Sequence, residues 1–346
     1  AAQNNSVFGA ITLASRTLAK AEAIKADIEA RGNAQDASAA INCVAVDAKD
    51  TAAVTALIQS SGAGILVNVA SNHTNMAVLE ACLETGCAYL DTSVYEKEGA
   101  EFEPAPWYAN YEWKLKDKFA DKGVTAVLSI GFDPGTVNAF CAKAQRDYFD
   151  EIDTIDILDV NAGDHGRYFA TNFNPAINLR EIMEDVIYWE NGEFRTIPPH
   201  SRSLDFTFPQ VGTHKLFSVG HDEVHSLHKN IPAKRIEFWM GFGERYLKVF
   251  EVLYNLGLLS SQPVKVGDAE VAPLDMLAAI LPDPSTLADG YKGDCCIGTL
   301  VRGTKDGQPR QVFLYSVFDH PSAWADVGSQ AISYSTGVPA IAAALC

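Results

Sequence analysis

Ser15, Arg16 and Thr17 form a polar tripeptide between an apolar run at residues 11–14 and a helix-like run from Leu18. In a dinucleotide-binding fold, the residue after the corresponding strand is usually an acid that holds a ribose hydroxyl. An acid would repel a 2′-phosphate, whereas serine and arginine can hydrogen-bond and pair with it. The tripeptide therefore favours NADP(H) as the cofactor; a surface arginine beside a Thr17 helix cap is the alternative.

Four histidines lie close together in the sequence: His214, His221, His225 and His228. The last three are spaced as on one face of a helix, which suggests a zinc site and a zinc-dependent hydrolase. In metalloprotease helices, however, glutamate directly follows the first histidine. Here Asp222 follows His221, and Glu223 is expected to point away from the histidines. The pattern therefore argues against a metal site. Both acids suit a helix start, where they stabilise its dipole.

The segment GFDPG at residues 131–135 marks the point where the pattern of strands and helices changes. Asp133 as N-cap and Pro134 as the first helical residue would account for it without any function.

Strands and helices alternate in the first third of the chain. Apolar strands are predicted at residues 11–14, 41–46, 64–70, 88–91 and 124–130, and helices at 18–31, 51–61, 74–84 and 111–121. This alternation predicts an α/β domain with a Rossmann-type, doubly wound parallel sheet. Ligands of such sheets bind at the carboxyl ends of the strands.

The glycine-rich turn that cradles pyrophosphate in such domains has no counterpart here, since no GxGxxG motif occurs in the sequence. A doubly wound domain begins with a strand, this turn and a helix. Residues 1–6 look instead like the end of a helix leading into the second strand. We therefore expect the first strand, the turn and most of the first helix to lie upstream of residue 1.

Longer, aromatic-rich strands follow from about residue 150. They are predicted at 152–163, 235–242 and 311–318, with helices at 175–188, 244–258 and 273–281. The pattern indicates a second, α+β domain whose mixed sheet is covered by helices on one face. The expected organisation is an NADP-binding domain at 1–132, a substrate-binding and dimerisation domain at 133–321, and a C-terminal helix at 322–346 that returns to the first domain.

The chain of 346 residues carries a net charge of −17. Nucleic acids and anionic membranes are bound mainly through lysine and arginine, so this charge argues against both as partners. An acidic surface attracts cations and suits a cationic substrate. The seven cysteines show no CxxC pair, which favours free thiols in a cytoplasmic protein.

Five segments carry recognisable motifs: LASRT (13–17), VNVASNHTNMAVLEACLETGCAYLDTSVYE (67–96), SIGFDPGTVNAF (129–140), GHDEVHSLHKNI (220–231) and SYSTGVPAIAAAL (333–345). Together they resemble the saccharopine dehydrogenase-like oxidoreductases. The resemblance implies a homodimer that uses NADPH to condense a diamine, 1,3-diaminopropane or putrescine, reductively with aspartate semialdehyde in polyamine biosynthesis. A saccharopine- or homospermidine-forming reductase is the alternative within this family.

The resemblance also implies roles for particular residues, each of which could instead serve as an ordinary strand end or helix cap. The implied cofactor contacts are Ser15, Arg16, Thr17, Asp47, Val69, Ala70, Ser71, Asp91, Thr92, Ser93 and Tyr95. The implied substrate contacts are Asp133, Pro134, Gly135, Asp164, His165, Asn172, Asn174, Arg180, Asp222 and Glu223. The expected catalytic residues are Asp133, His165 and His225, with a histidine as proton shuttle and Asp133, Asp222 and Glu223 near the amine.

Overall fold

The computed structural model describes residues 1–99 and 107–346. The chain divides into two compact units, which we call the parallel unit (residues 1–136 and 336–346) and the mixed-sheet unit (residues 137–335).

In the described part of the parallel unit, every strand pairs in parallel with its neighbour. The strands are β1 (Ile11–Ser15), β2 (Ile41–Ala45), β3 (Ile65–Asn68), β4 (Ala88–Asp91) and β5 (Ala126–Val127). The helices are α1 (Asn5–Phe8), α2 (Leu18–Arg31), α3 (Thr51–Ser61), α4 (Asn75–Thr85), α5 (Trp107–Asn110) and α6 (Lys116–Lys122). The strands form two sheets, β1–β2 and β3–β4–β5. The prediction of a parallel α/β first domain is confirmed.

Glycines end four of these helices. Gly32, Gly62, Gly86 and Gly123 follow α2, α3, α4 and α6 with φ between 65° and 76°. Glycine adopts this left-handed conformation without the Cβ clash that other residues meet. Each helix therefore stops at a defined residue, and the chain turns towards the next strand.

The core of the parallel unit lies between α3, α4 and β4. Val54 and Ile58 of α3, Val78 and Leu79 of α4, and Tyr89 of β4 are buried in one cluster. This packing fixes the strands whose carboxyl ends carry the predicted cofactor contacts.

The mixed-sheet unit begins within α7 (Thr136–Asp147) and contains eight strands in one sheet. These strands are β6 (Glu151–Asn161), β7 (Val186–Glu190), β8 (Glu193–Ile197), β9 (Ser203–Phe208), β10 (Gly212–Val219), β11 (Ala233–Gly241), and the pair β14 (Asp294–Lys305) and β15 (Gln308–Asp319). A separate hairpin consists of β12 (Val264–Val266) and β13 (Ala269–Val271). The helices are α8 (Pro175–Met183), α9 (Asp222–Asn230), α10 (Glu244–Asn255), α11 (Pro273–Ile280) and α12 (His320–Val327). The last helix, α13 (Ala331–Ala344), begins in this unit, and its residues from 336 onward belong to the parallel unit.

The large sheet is mixed and strongly curved. Its strand order is β15-β14-β6-β11-β10-β9, and β7 pairs with both β11 and β8. β6 and β11 are parallel, and Asp159 of β6 lies opposite Met240. Phe206 on β9 and Phe313 on β15 meet with ring centroids 5.1 Å apart, although these strands are at opposite ends of the order. The sheet therefore curls until its two edges share one apolar core.

Two of the differences from the sequence predictions concern segments of the candidate site. The helix expected at 175–188 ends at Met183, and β7 begins at Val186, because the run Val-Ile-Tyr-Trp favours a strand. The helix expected to begin at Pro134 begins at Thr136. Among the described residues, no helix is both long and apolar enough to cross a membrane.

Candidate active site

Polar residues follow the carboxyl ends of β1 and β2, which face one edge because the strands are parallel. Oγ of Ser15 accepts a hydrogen bond from the N–H of Thr17 at 3.2 Å. Arg16 is exposed and has no ion-pair partner in the part of the chain that the structure describes. Thr17 occupies the N-cap position of α2, but its side chain caps none of the described N–H groups. Asp47 is exposed and accepts the N–H of Lys49 at 3.0 Å.

A buried amide network follows β3, and sequence analysis missed it. Nδ2 of Asn68 donates to Oδ1 of Asn75 at 2.9 Å, and Nδ2 of Asn75 donates to the carbonyl of Ser93 at 2.7 Å. Oδ1 of Asn68 accepts the N–H of Ala70 at 3.2 Å. The network holds the predicted cofactor loop, residues 69–71, which is exposed, against the segment after β4. The signal available in the sequence is the polar run that directly follows a buried strand.

Asp91, at the end of β4, is buried and has structural partners. Its carboxylate accepts the hydroxyl of Tyr89 at 2.8 Å and the N–H of Ser129. Residues 92–95 follow and are partly or fully buried. The N–H of Tyr95 donates to Oε1 of Glu112 at 2.7 Å. These contacts orient the segment that contains Thr92, Ser93 and Tyr95.

Asp133 and Pro134 lie in a closed turn before α7, so their prediction as cap and first helical residue is wrong. The N–H of Gly131 donates to the carbonyl of Pro134 at 2.8 Å, and the N–H of Thr136 donates to the carbonyl of Gly131 at 3.0 Å. Gly135 has φ +127°, and a Cβ there would lie 2.3 Å from the Gly131 oxygen. These bonds keep Asp133 outside the helix, and the turn requires glycine at position 135.

In the mixed-sheet unit, Tyr291 lies at the centre of a polar network. Its hydroxyl accepts a hydrogen bond from Nδ2 of Asn161 at 2.8 Å and donates one to Oδ1 of Asn172 at 2.9 Å. Its ring stacks on His320 with centroids 3.5 Å apart. Of these four residues, which we call the Tyr291 network, sequence analysis predicted only Asn172. No local pattern identifies the others, since the fold brings them together from distant segments.

His320 is neutral in this network. Nδ1 accepts the N–H of Ala331 at 3.2 Å, and Nε2 lies 3.1 Å from Oδ1 of Asn161. Burial lowers the pKa of His320 to about 4. Because Nδ1 is an acceptor, the proton is on Nε2, which donates to Asn161.

Asp164 and His165 lie in the turn after β6. The backbones of Asp164 and Lys292 exchange two hydrogen bonds, at 2.8 and 3.1 Å. The His165 ring meets the edge of Tyr291 at 5.5 Å, and its Nδ1 accepts the N–H of Arg167 at 3.0 Å. Burial lowers the pKa of His165. His165 therefore borders the Tyr291 network as a largely neutral ring.

Asn174 and Arg180 have structural partners at the two ends of α8. Oδ1 of Asn174 caps the helix by accepting the N–H groups of Ala176 and Ile177 at 3.0 and 3.2 Å. Nε of Arg180 lies 3.0 Å from Oε1 of Glu184. A substrate carboxylate at Arg180 would compete with this glutamate.

Asp159, Glu181, His221 and Glu223 form a second cluster, which we call the acid–histidine cluster. Nε2 of His221 lies 3.2 Å from Oε1 of Glu181, and Nδ1 pairs with Oε2 of Glu223. The ring stacks on Phe238 at 3.9 Å. The expectation that Glu223 points away from the histidines is therefore wrong. His221 precedes α9 with extended backbone, which directs its ring back towards the acid two residues later.

The charges in this cluster shift the pKa values of His221 and Asp159. Burial opposes protonation of His221, but Glu223 and Glu181 outweigh it and raise its pKa well above the ordinary value. Burial raises the pKa of Asp159 to about 7, and the charges of Glu181 and Glu223 add to the effect. The cluster therefore holds an imidazolium among more acids than it can neutralise.

The other histidines of the zinc hypothesis are dispersed among aromatic rings. His225 is fully buried and lies 5.3 Å from the ring of Phe194, and burial lowers its pKa to about 3. His228 contacts Phe194 and Trp189, both at 4.7 Å. Nε2 of His214 lies 3.4 Å from the carbonyl oxygen of Val211. Across residues 1–99 and 107–346, no group of three or more His, Cys, Asp or Glu side chains could hold a metal ion.

Parallel strands that end in polar loops, followed by a mixed-sheet unit, are the architecture of two-domain nicotinamide-dependent dehydrogenases. Two family models match the chain: the saccharopine dehydrogenase NADP binding domain over residues 1–127 and the saccharopine dehydrogenase C-terminal domain over residues 131–346. The chain belongs to the saccharopine dehydrogenase family and is an oxidoreductase with an NADP-binding domain. The resemblance identified from its motifs is confirmed.

Curated relatives cover the whole chain. It is 50% identical over 346 residues to carboxynorspermidine synthase of Vibrio alginolyticus, which matches 100% of this chain and 84% of the relative, and equally to that of Vibrio cholerae. It is 42% identical over 335 residues to carboxyaminopropylagmatine dehydrogenase of Synechocystis, covering 96% of this chain and 81% of the relative. Saccharopine dehydrogenase (L-Glu forming) of Saccharomyces cerevisiae shares the fold, with TM-score 0.65, 12% identity, and coverage of 99% and 86%.

Proposed function

We propose that this enzyme uses NADPH to condense a diamine, 1,3-diaminopropane or putrescine, with L-aspartate semialdehyde, forming carboxynorspermidine or carboxyspermidine. The observation that carries the proposal is the 50% identity, over every residue of the chain, to relatives named carboxynorspermidine synthase. The net charge of −17 supports a cationic substrate, since an acidic surface attracts cations.

The residues after β1 fit the phosphate of NADP(H). Arg16 is exposed and without an ion-pair partner among the described residues, and the Ser15 hydroxyl can still donate a hydrogen bond while it accepts the N–H of Thr17. The exposed loop at 69–71, Asp91 and the segment 92–95 would border the ribose and nicotinamide. When bound, NADPH supplies a hydride.

The reaction balances without a metal. The free amine adds to the aldehyde carbon, water leaves, and hydride reduces the resulting iminium to a secondary amine. The proton that makes the iminium comes from the substrate ammonium. Asp133 and His165 are the proposed residues for moving protons, and neutral His165 can accept one. His225, which is fully buried, is the third residue proposed for this role.

The amino-acid end of the aldehyde is proposed to bind beside the Tyr291 network. Asn172, Asp164 and His165 adjoin this network and offer hydrogen-bonding groups of both kinds. Arg180 is the proposed cation for the substrate carboxylate. The relative named carboxyaminopropylagmatine dehydrogenase makes agmatine a further amine to test.

The test is a substrate panel that follows NADPH consumption with aspartate semialdehyde and 1,3-diaminopropane, putrescine, agmatine or no amine. We expect oxidation to require both aldehyde and amine, with a three-carbon or four-carbon diamine preferred. Mass spectrometry of the product shows which amine was condensed. It also distinguishes the expected product from saccharopine- and homospermidine-type products. Equal rates without amine, or no oxidation with either diamine, would refute the proposal.

A further inference from the structure

We propose that the acid–histidine cluster, Asp159, Glu181, His221 and Glu223, binds the distal ammonium group of the diamine, the one that does not react. This inference rests on the proposed function and specifies which residues recognise the far end of the substrate. Of the four, sequence analysis named only Glu223 as a substrate contact.

Two buried carboxylate oxygens in this cluster have no partner. Oε1 of Glu223 and Oδ1 of Asp159 are inaccessible to solvent and accept no hydrogen bond from the described residues. Glu223 as a whole is 0% exposed. Leaving a buried charged acceptor unpaired is costly, so such atoms usually meet a donor in the functional state. An ammonium group provides three donors and the opposite charge.

His221 orients the carboxylates rather than neutralising them. Its two ring nitrogens contact one oxygen of Glu181 and one of Glu223, and its ring is fixed against Phe238. One imidazolium faces three acids, so the fully ionised cluster has an excess of two negative charges. Because burial raises the pKa of Asp159 to about 7, partial protonation of this acid offsets part of the excess near neutral pH, and a bound cation would replace that proton.

A second buried pair of acids in the same sheet is compensated by the protein itself. Asp156 contacts Arg235 and Arg302, both at 2.6 Å, and Glu237 contacts Arg235 at 3.1 Å and Arg202 at 3.4 Å. At this pair the fold itself supplies the guanidinium groups that compensate the buried acids. The acid–histidine cluster receives no such group from the described residues, which suits a site whose cation arrives with the ligand.

Strand β6 connects this cluster to the Tyr291 network. Asp159 and Asn161 are two residues apart on β6, and side chains at this spacing share a face of the sheet. The ammonium site and the proposed amino-acid site are therefore neighbours, as the two ends of one condensation product require.

The experiment compares 1,3-diaminopropane with propylamine, which has the same three carbons but no distal ammonium. We expect the enzyme to prefer the diamine in kcat/KM. Asp159→Asn, Glu223→Gln and Glu181→Gln should each raise the diamine KM on the order of 10- to 100-fold, as expected for a lost contact between charged groups. The KM values for propylamine and aldehyde should change little, so the preference for the diamine collapses.

Glu251→Gln is the matched control, because it removes one carboxylate from an exposed position on α10 and should leave the preference intact. Glu181 is the mildest site to neutralise, with a side chain 19% exposed, so Glu181→Gln keeps the test valid if the other two variants fail to fold. An unchanged diamine preference in every folded variant would overturn the proposal.

Calorimetric binding separates this inference from the proposed reaction. Titration of the enzyme with 1,3-diaminopropane or propylamine requires no turnover. Diamine binding that weakens in the cluster variants supports the ammonium site even if the substrate panel fails. An active enzyme whose diamine binding is the same in the cluster variants and in Glu251→Gln refutes the ammonium site alone.

Discussion

At the residue scale, Arg16 presents an exposed guanidinium beside the Ser15 hydroxyl at the carboxyl end of β1. Replacing Arg16 with alanine should raise the KM for NADPH about 10- to 100-fold, because a hydrogen bond between charged groups contributes about 1.5–3 kcal/mol. The KM for NADH should stay the same, since NADH has no 2′-phosphate. Steady-state kinetics with both cofactors at saturating substrates measures the difference.

Lys20→Ala is the control for this prediction. Lys20 is exposed in the first turns of α2, so its loss changes the net charge equally without removing the predicted phosphate contact. Similar NADPH and NADH constants in the unmodified enzyme would contradict the assignment, as would an equal effect of the two substitutions.

At the scale of elements, the turn after β6 leaves room for nothing larger than glycine. A Cβ on Gly163 would lie 2.7 Å from Cε2 of Tyr291 and 2.8 Å from the ring of His320. Gly163→Ala should therefore separate the stacked rings and break the hydrogen bonds of the Tyr291 network. We expect the free energy of unfolding to fall by about 1–3 kcal/mol, as for other overpacked sites, and the aldehyde KM to rise.

Gly243→Ala provides the comparison, because a Cβ at Gly243 meets no atom within 4 Å. Urea unfolding of both variants, followed by circular dichroism, measures the stability difference. Equal midpoints for Gly163→Ala and Gly243→Ala would contradict this prediction, because the Tyr291 and His320 rings would then move aside without a loss of stability.

The elements of the parallel unit could be predicted because local signals define them. Buried strands there are short apolar runs, and glycines such as Gly32 and Gly86 end the helices in a left-handed conformation. The boundary between α8 and β7 was harder to predict, since the run from Pro175 to Glu190 contains apolar residues compatible with either structure. Tertiary packing decides such cases.

Some residues of the candidate site could likewise be proposed from local signals in the sequence, and others could not. Ser15 and Arg16 could be proposed from the sequence because they lie at the end of a predicted strand. Asp159, Glu181 and Glu223 come from β6, α8 and α9, and only the pairing of β6 with β11 and the stacking of His221 on Phe238 bring them to one place. No spacing in the sequence encodes that contact.

At the scale of the whole molecule, a homodimer formed through the mixed-sheet unit remains a prediction. The aromatic-rich strands are expected to leave a sheet face for a second subunit to cover. Part of that face is already covered within the chain, because Phe206 and Phe313 pack against each other. Large exposed apolar side chains are concentrated instead between residues 252 and 280: Val252, Tyr254, Leu256, Val264, Val266, Met276 and Ile280. Met276 and Ile280 share a face of α11, since helical residues four apart are neighbours. Val252 lies on α10, and Leu256 directly follows the end of that helix.

Leu256 and Ile280 are the strongest probes of this surface, because they are 69% and 71% exposed. A contiguous apolar patch commonly marks a protein–protein interface, and a second copy of the chain would bury a patch that contained these two side chains. The double variant Leu256→Glu/Ile280→Glu should be monomeric, because each dimer would bury four unpaired carboxylates. Val7→Glu, at 70% exposure in the parallel unit, should leave the dimer intact. Light scattering coupled to size-exclusion chromatography gives the masses; a monomeric unmodified enzyme, or a double variant that still dimerises, would contradict this interface.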